Sequence, residues 1–472
     1  MTTKDISNCD IDVECSGEEL DEDNEYICEL WQEIDEECEK LETYATAGSR
    51  KPYAPLLYPI SIGQRLDGGR YQILHRLGHG GFSTVWVAKD TTAGAKGAEV
   101  VALNVIANGH AAGAESDDGD MEYQMHKLIQ SSKIDKSHLL LCQDTFTLRG
   151  PHGSHHVLVL PLAGSGLQSL SVTPMMHITD TPIKSRISAA KQLLDAVNSL
   201  HQAGLVHCDI SMRNVLWQIK PAFHRTLVHN LETMGEPRKI SFSTRWKDKD
   251  GKAITASGDR VSPAKFPQES LDDNIFLSDF GITIKAGTSV SKKSRGVQKF
   301  VSPERFHGHN PSPGSDMWSF MVVFIYLYTG RYPFNGRLSS ETPAHLMMDM
   351  VSSLGPLPSE WAEKKLKSFQ LKWYTGAGSS EFLEPNKTFQ SRLRDDLVEV
   401  EKRGAAKGND GVIAAAEEVE LKRRAKPHVL KIIDKGFRFK PRERVKASDL
   451  LDDFDWKMLM KICGVDDEAS GK

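Results

Sequence analysis

The chain has 472 residues, of which 39% are hydrophobic and 26% charged. This is a globular composition, with length for one large two-lobed domain or for two to three average ones. The longest apolar run, from Met321 to Tyr328, has eight residues and is too short to cross a bilayer. The first ten residues lack the basic start and apolar stretch of a secretory signal. Seven cysteines at irregular spacing indicate reduced thiols. We therefore expect an intracellular protein of the cytoplasm or nucleus, without membrane association.

Charge is unevenly distributed along the chain. Residues 1–42 carry 17 Asp and Glu against two Lys, a net charge of −15; because the whole chain is at −5, the remainder is at +10. Such an acidic composition predicts a largely disordered tail over residues 1–50. Within this tail an apolar stripe predicts a short amphipathic helix, which packs either on its own domain or on a partner. The stripe consists of Ile27, Trp31, Ile34, Cys38 and Leu41.

Short segments typical of strands follow from Tyr71. They are YQILHRLG, FSTVWVAKD, EVVALNVI and HVLVLPLAG, with one helical stretch over residues 122–129. Helical periodicity begins at Ile183 and dominates the second half of the chain. Two polar stretches, near residues 218–272 and 376–427, interrupt the pattern and are interpreted as inserts.

This order of elements predicts an α+β fold with two lobes. A small β-rich lobe is expected over residues 71–163, and a larger α-helical lobe over residues 164–458. Residues 459–472 are expected to form a C-terminal tail.

A glycine-rich segment, LGHGGFSTV over residues 77–85, lies between the first two predicted strands. Glycines allow a hairpin to bring its backbone N–H groups close to phosphates, because no Cβ intervenes. A tight hairpin without any ligand explains the same glycines. The segment therefore predicts a phosphate site only together with the motifs that follow it.

Two downstream segments carry the residues of a phosphoryl-transfer site. HCDISMRNVL, residues 207–216, fits the protein-kinase catalytic loop H-R-D-x-x-x-x-N, and LSDFGI, residues 277–282, contains D-F-G. In this pattern Asp209 accepts the proton of the substrate hydroxyl. Asn214 and Asp279 hold the metal ion.

Further matches in the helical half support the same interpretation. Ser302-Pro303-Glu304 stands where A-P-E is expected, and an apolar helix follows it. We expect Asp316 to brace the catalytic-loop backbone. We also expect Arg444 to form an ion pair with Glu304.

The segment YPISIGQRLDGGRYQILHRLGHGGFSTVWVAKD resembles the start of the SR-protein kinases, including Ser83 in place of the third glycine. An insert between the catalytic loop and D-F-G is also similar to that family; here Asn214 and Asp279 are 65 positions apart. The resemblance covers about residues 53–375 and resumes at roughly 428–458.

The resemblance implies a bilobal protein-kinase fold, with ATP and Mg²⁺ as cofactors and protein serine or threonine hydroxyls as acceptors. It places the adenine against apolar side chains of both lobes, next to a hinge at Pro161 and Ala163. Pro161 lacks an N–H but keeps its carbonyl, and Ala163 keeps its N–H. The nucleotide-binding residues implied are Leu77, Gly78, Gly80, Val85, Ala102, Asn104, Pro161, Ala163, Leu216 and Asp279.

The small lobe departs from the kinase pattern at its central charge pair. Asn104 occupies the place of the lysine that neutralises the α- and β-phosphates. By the spacing of HKLI, Met125 takes the place of the lysine's glutamate partner, with Glu122 one turn earlier, about 4.5 Å along the helix axis. Lys89 or Lys96 could supply the missing charge.

The changes from the kinase pattern in the catalytic loop are milder than those in the small lobe. Ser211 replaces the usual lysine, and Arg213 matches an arginine that many tyrosine kinases use to meet the γ-phosphate. Cys208 replaces the arginine that pairs with a phosphorylated activation loop, and it is expected to be a packed residue rather than a reactive thiol. We therefore expect no switching by that route when the activation loop is phosphorylated at Thr288, Ser289, Ser291 or Ser294.

Two functions remain open from the sequence. One is an ATP-dependent serine/threonine protein kinase, with Asp209, Asn214 and Arg213 as catalytic residues. The other is a pseudokinase that acts as a nucleotide-binding or scaffolding module, because Asn104 lacks the lysine charge. Protein substrates or scaffold partners are expected, and direct nucleic-acid binding is not. The basic cluster KRRAK, residues 422–426, is either a nuclear-import signal or a solvated face.

Overall fold

The computed structural model describes residues 58–80, 83–92, 100–106, 118–150, 153–167, 178–224, 264, 266–334, 343–362, 389–406 and 408–465. All of them belong to one compact unit. The predicted tail helix, the tip of the glycine loop at Gly81 and Phe82, Lys96, and most of the first insert lie outside the described residues. No helix in the described ranges is long and apolar enough to cross a membrane.

The small lobe is a six-stranded antiparallel sheet with strand order β1-β2-β3-β4-β6-β5. Its strands are β1 (Arg65–Leu66), β2 (Tyr71–Gly80), β3 (Ser83–Asp90), β4 (Val100–Ile106), β5 (Asp144–Gly150) and β6 (Gly153–Pro161). Alternating side chains divide between two faces, as the two-residue period of a strand requires. On β4, Val101, Leu103 and Val105 pack in the outer core of this lobe. Ala102 instead joins the large core that continues into the second lobe.

One helix, α1 (Asp118–Ser131), packs against this sheet. Its Tyr123 contacts the small apolar cluster formed by Ile106, Cys142 and Leu158. Leu158 is the direct cross-strand neighbour of Asn104. Because directly opposed residues of an antiparallel pair share a face, Asn104 lies on the sheet face that α1 covers.

The large lobe is mainly helical. Its helices are α2 (Ile183–Gln202), α3 (Pro303–Phe306), α4 (Pro313–Thr329), α5 (Pro343–Leu354), α6 (Ser359–Ala362), α7 (Phe389–Ala406), α8 (Gly408–Gly436), α9 (Ala447–Leu451) and α10 (Phe454–Ile462). Two short antiparallel pairs lie among them, β7 (Leu205–Val206) with β10 (Ile284–Lys285), and β8 (Val215–Ile219) with β9 (Leu271–Leu277). The α+β architecture of two lobes predicted from the sequence is confirmed.

The central helix of this lobe is α4, which is buried along almost its whole length. At its start the Ser312 N–H donates to Ser315 Oγ at 2.8 Å, and the Ser315 N–H donates to the Ser312 carbonyl at 2.8 Å. Gly330, at φ 77°, ends it in the left-handed conformation that glycine adopts most easily. The helix therefore offers a fixed base for the catalytic loop, which contacts its first turn.

The second predicted insert contains two helices, α7 and α8, which pack against each other. A buried ionic network joins them to the lobe: Lys422 lies 2.8 Å from Asp396 and 3.0 Å from Glu418, and Arg186 of α2 lies 2.6 Å from Glu418. Lys422 is the first residue of the basic cluster KRRAK, and its side chain is fully buried. The cluster is thus neither a uniformly solvated face nor a free basic peptide, because its first charge is committed to the fold.

Candidate active site

The start of α4 holds the catalytic loop in place through hydrogen bonds. The buried Asp316 carboxylate accepts hydrogen bonds from the main-chain N–H groups of His207 (2.8 Å) and Cys208 (3.0 Å), and from His201 Nε2 (3.1 Å). Burial opposes ionisation, but the hydrogen bond and charge of His201 hold the pKa of Asp316 below its usual value. The predicted bracing role of Asp316 is confirmed.

Asp209 and Asn214 lie together in this loop. The Asn214 side-chain nitrogen donates to both the main-chain carbonyl (2.9 Å) and the Oδ2 (3.1 Å) of Asp209. The Asp209 N–H in turn donates to His207 Nδ1 at 3.2 Å. Because its nitrogen is engaged, Asn214 has its side-chain oxygen left for a hard cation, which prefers oxygen ligands.

Asp279 is tied to the same loop through its neighbour. Ser278 donates to the Asn214 carbonyl from its N–H (2.8 Å) and its hydroxyl (3.0 Å), and His207 Nε2 lies 3.1 Å from the Ser278 carbonyl. Asp279 itself adopts φ 65°, a left-handed conformation that costs an aspartate about 1 kcal/mol or more. The chain therefore holds Asp279 beside Asn214 at a cost in backbone strain.

The surroundings of Asp279 disfavour its negative charge. Desolvation first, then the charges of Glu122 and Asp209, raise the pKa of Asp279 to about 7, against the opposing Gly281 N–H and Arg295 charge. Asp279 keeps contact with solvent, and the neighbouring carboxylates of Glu122 and Asp209 repel its charge. A cation bound beside Asp279 would relieve this repulsion.

The predicted nucleotide slot is built from apolar side chains of both lobes. Ala102 is buried in the large core, and the partly buried Leu77 and Val85 pack against that core. Leu216 lies on β8, below the hinge. The hinge begins where β6 ends at Pro161, opposite Val101, and continues through the buried Ala163.

The glycine hairpin between β2 and β3 is tightly paired, with Gly78 opposite Val85 and Gly80 opposite Ser83. Among the described residues, a Cβ built on Gly78 would meet no atom within 4 Å. Packing against these residues therefore does not require glycine at this position. The phosphate site that the motif predicts stays a prediction.

Comparison with known proteins agrees with this geometry. The protein kinase domain model matches residues 71–227 and 268–454, more than half of the chain. The chain belongs to the protein kinase family. This membership implies the general use of ATP, a divalent metal and protein substrates.

The chain is similar to several individual kinases. It is 32% identical over 160 residues to protein kinase dsk1 of Schizosaccharomyces pombe, covering 34% of this chain and 28% of that protein. It is 25% identical over 365 residues to serine/threonine-protein kinase SRPK of Physarum polycephalum, covering 74% and 79%. It is 26% identical over 263 residues to serine/threonine-protein kinase SKY1 of Saccharomyces cerevisiae, covering 55% and 33%. The resemblance to SR-protein kinases is confirmed. The matches span a third or less of dsk1 and SKY1 but about four fifths of SRPK.

In this kinase Glu122, and not Met125, faces the site. The Glu122 Oε2 lies 3.5 Å from the position that a Cβ on Gly281 would occupy, and its charge acts on Asp279. Met125 packs against the large apolar core instead. The assignment of Met125 to the glutamate position was wrong, because the packing of α1 turns a different residue toward D-F-G.

A column of three rings supports this placement of α1. The ring of Phe280 packs edge-on against His126 of α1 and His207 of the catalytic loop. The ring centroids are 5.2 Å and 5.4 Å apart, respectively. His126 Nδ1 accepts the Cys142 N–H, which leaves Nε2 to carry the proton 3.8 Å from Glu122. The helix, the D-F-G segment and the catalytic loop are thus in continuous contact through buried side chains.

Asn104 is the polar group on β4 that the site leaves unsatisfied. Its side-chain oxygen is buried, without a hydrogen-bond partner among the described residues. Leaving a buried amide oxygen unsatisfied costs about 1–3 kcal/mol. The same side chain also carries an N–H₂ group, which could donate to a phosphate. Lys89, which could supply the missing lysine charge, has no carboxylate within 4 Å in the described part of the chain.

The remaining catalytic-loop residues divide by exposure. Arg213 is exposed, whereas Ser211 is buried. Cys208 is also buried, at φ 72°, and desolvation raises its pKa well above the usual value. A thiol with a raised pKa is a poor nucleophile, so Cys208 acts as a packed residue, as expected.

Arg305, which the sequence motifs did not single out, anchors the activation segment (residues 279–304). Its buried guanidinium donates to the main-chain carbonyls of Lys293 (2.7 Å), Arg295 (2.5 Å) and Cys208 (2.9 Å). It thus links the segment directly to the catalytic loop, beside the place where a kinase with H-R-D has an arginine. No sequence pattern could reveal this role, because all three acceptors are backbone atoms.

We expect Arg305→Leu to lower kcat/KM for peptide phosphorylation by at least about tenfold, since three carbonyls lose their donor. ATP binding should be unchanged. Steady-state kinetics against the exposed control Arg442→Leu checks this. Alanine at Thr288, Ser289, Ser291 and Ser294 together should leave the rate unchanged, because Arg305 requires no phosphate. An Arg305→Leu enzyme with normal peptide kinetics would contradict the anchoring role.

Proposed function

We propose that the protein is a serine/threonine protein kinase that transfers the γ-phosphate of ATP to protein hydroxyls. The observation that carries this proposal is the fixed group of Asp209, Asn214 and Asp279. Asp316 holds the first two through the loop backbone, and Ser278 links Asn214 to Asp279. The names of the relatives support serine and threonine as acceptors.

The residues present fit magnesium and nucleotide. No cluster of three His, Cys, Asp or Glu side chains forms a metal cage in the described residues. Asn214 and Asp279 would therefore hold Mg²⁺ together with phosphate oxygens, as magnesium sites commonly do. When bound, the metal neutralises charge on the transferring phosphoryl group. Leu77, Val85 and Ala102 would enclose the adenine.

Asp209 then performs the proton chemistry. The incoming hydroxyl oxygen forms a bond to the γ-phosphorus while the bridging bond to the β-phosphate breaks and ADP leaves. The hydroxyl proton goes to the Asp209 carboxylate. The hydrogen bond from Asn214 Nδ2 holds this carboxylate in place.

Asn104 supports the second candidate, a nucleotide-binding scaffold without transfer. An amide offers only a dipole where the family uses a full positive charge. Losing one such preorganised group costs about 10²–10³-fold in rate. Slow transfer and no transfer are thus the two outcomes that an assay must separate.

The test is transfer of radiolabelled phosphate from Mg-ATP to generic protein substrates, by wild type and by Asp279→Ala. We expect slow incorporation by wild type and at least a thousandfold loss in the variant. Asp273→Ala, an exposed aspartate on β9, is the matched control. Thermal shift with Mg-ATP should stabilise wild type and not Asp279→Ala. Stabilisation without incorporation would establish the scaffold; incorporation equal in wild type and Asp279→Ala would refute the assigned site.

A further inference from the structure

The activation segment is strongly basic between Asp279 and Glu304. Residues 281–303, all within the described part of the chain, contain five Lys or Arg and no Asp or Glu. Lys285, Lys292 and Arg295 are exposed. Within the described residues no carboxylate oxygen lies within 4 Å of any of these three side chains. Lys285 and Lys292 therefore present their charges to solvent, and Arg295 is exposed while its charge also acts on Asp279.

This basic surface borders the acceptor site directly. The Val297 N–H donates to Asp209 Oδ1 at 3.2 Å. Gly296 has φ 110°, and a Cβ built on it would lie 2.8 Å from the same oxygen. A hydroxyl that reaches Asp209 must therefore approach past residues 295–297. The peptide that carries it has to lie over the activation segment.

The backbone beneath these charges is held in place. Arg305 binds the carbonyls of Lys293 and Arg295. Lys293 Nζ is engaged with Ser289 Oγ and the side-chain oxygen of Asn310. Lys292 and Arg295, on either side of this anchored stretch, are thus presented from a fixed support.

The positive charge of Lys292 and Arg295 beside the acceptor site restricts which peptides can bind. The carboxylates of the cleft are those of Asp209, Asp279 and Glu122, which would serve the metal and the proton. A peptide whose hydroxyl reaches Asp209 passes next to Arg295, the neighbour of Gly296, with Lys292 three residues earlier in the chain. Like charges brought together across an interface disfavour binding, and opposite charges favour it and accelerate encounter. A run of arginines beside the acceptor would face repulsion here.

We propose that this kinase selects serine or threonine acceptors flanked by Asp or Glu, and that Lys292 and Arg295 determine this selectivity. The inference rests on the proposed function. Basic Arg-Ser repeats would be disfavoured, because their arginines would meet Lys292 and Arg295.

The binding test uses fluorescence anisotropy with three labelled peptides of equal length: acid-flanked serine, alanine-flanked serine, and an Arg-Ser repeat. Wild type should bind the acid-flanked peptide about tenfold more tightly than the alanine-flanked one at low salt, since each exposed charge pair contributes only modestly. The preference should shrink at high salt. Lys292→Glu/Arg295→Glu should lose it and favour the Arg-Ser peptide.

Two controls keep the result interpretable. Lys402→Glu reverses an exposed charge on α7 and should behave as wild type. Lys292→Gln/Arg295→Gln should show an intermediate preference even if the double reversal fails to fold. Because anisotropy requires no turnover, a protein that transfers no phosphate still reports on peptide preference. The two proposals can therefore fail separately.

A kinetic arm follows for the active protein. The kcat/KM for the acid-flanked peptide should exceed that for the Arg-Ser peptide by about tenfold or more, mainly through KM. Equal or tighter binding of the Arg-Ser peptide by wild type would overturn the proposal. So would an unchanged preference in the double reversal. A single-stranded oligonucleotide that binds this surface more tightly than the acid-flanked peptide would assign it to nucleic acid instead.

Discussion

Asn104→Lys is expected to raise the rate of phosphoryl transfer by about 10²–10³-fold, the value of one preorganised electrostatic group. Asn104 lies on the sheet face that α1 covers, since its cross-strand neighbour Leu158 packs with Tyr123. The next residue toward the start of that helix, Glu122, already directs its carboxylate to the site. A lysine introduced at position 104 therefore has an acidic partner, which keeps it charged. The measurement is kcat/KM for ATP at saturating substrate.

The dependence on Glu122 separates this account from a simple charge effect. Asn104→Lys/Glu122→Gln should lose most of the gain, because the two positions act as one unit. Met125→Glu should give no gain alone or with Asn104→Lys, and should destabilise the protein, since Met125 packs against the core. An Asn104→Lys protein that binds ATP yet is no faster than wild type would place the defect elsewhere.

Arg444→Met is expected to destabilise the protein by about 3–5 kcal/mol, the usual result of leaving one buried charge without its partner. Arg444 meets Glu304 at 2.5 and 2.8 Å, and both side chains are almost fully buried, so the predicted ion pair is confirmed. The guanidinium also donates to the carbonyls of Gly314 and Phe439. The pair thus joins the end of the activation segment to the start of α4.

Chemical denaturation measures this loss as a fall in the unfolding midpoint. The control is Lys457→Met, which removes an exposed ion pair with Asp452 and should cost less than about 1 kcal/mol. Glu304→Gln/Arg444→Met should lose less than the sum of the single changes, because no charge is then stranded. Equal losses in Arg444→Met and Lys457→Met would show that the buried pair contributes little.

The two lobes, the catalytic loop and the D-F-G segment could be predicted from the amino-acid pattern alone. Asp209 and Asn214 are five residues apart within one loop, so local chain geometry brings them together. Asp316 and Arg444 were also predicted correctly. Both belong to contiguous motifs whose partners are backbone groups or a single buried carboxylate, and such motifs identify their partners without knowledge of the wider packing.

Which residue of α1 reaches the site could not be predicted in this way, because it depends on packing between distant segments. Met125 and Glu122 are three positions apart, so choosing between them requires the rotation of the helix about its axis. That rotation is set by the packing of Tyr123 against Leu158 and of His126 against Phe280, contacts between segments distant in sequence. The burial of Lys422 depends in the same way on Asp396 and Glu418. The role of Arg305 depends on backbone carbonyls that side-chain identity does not reveal, because every residue has one.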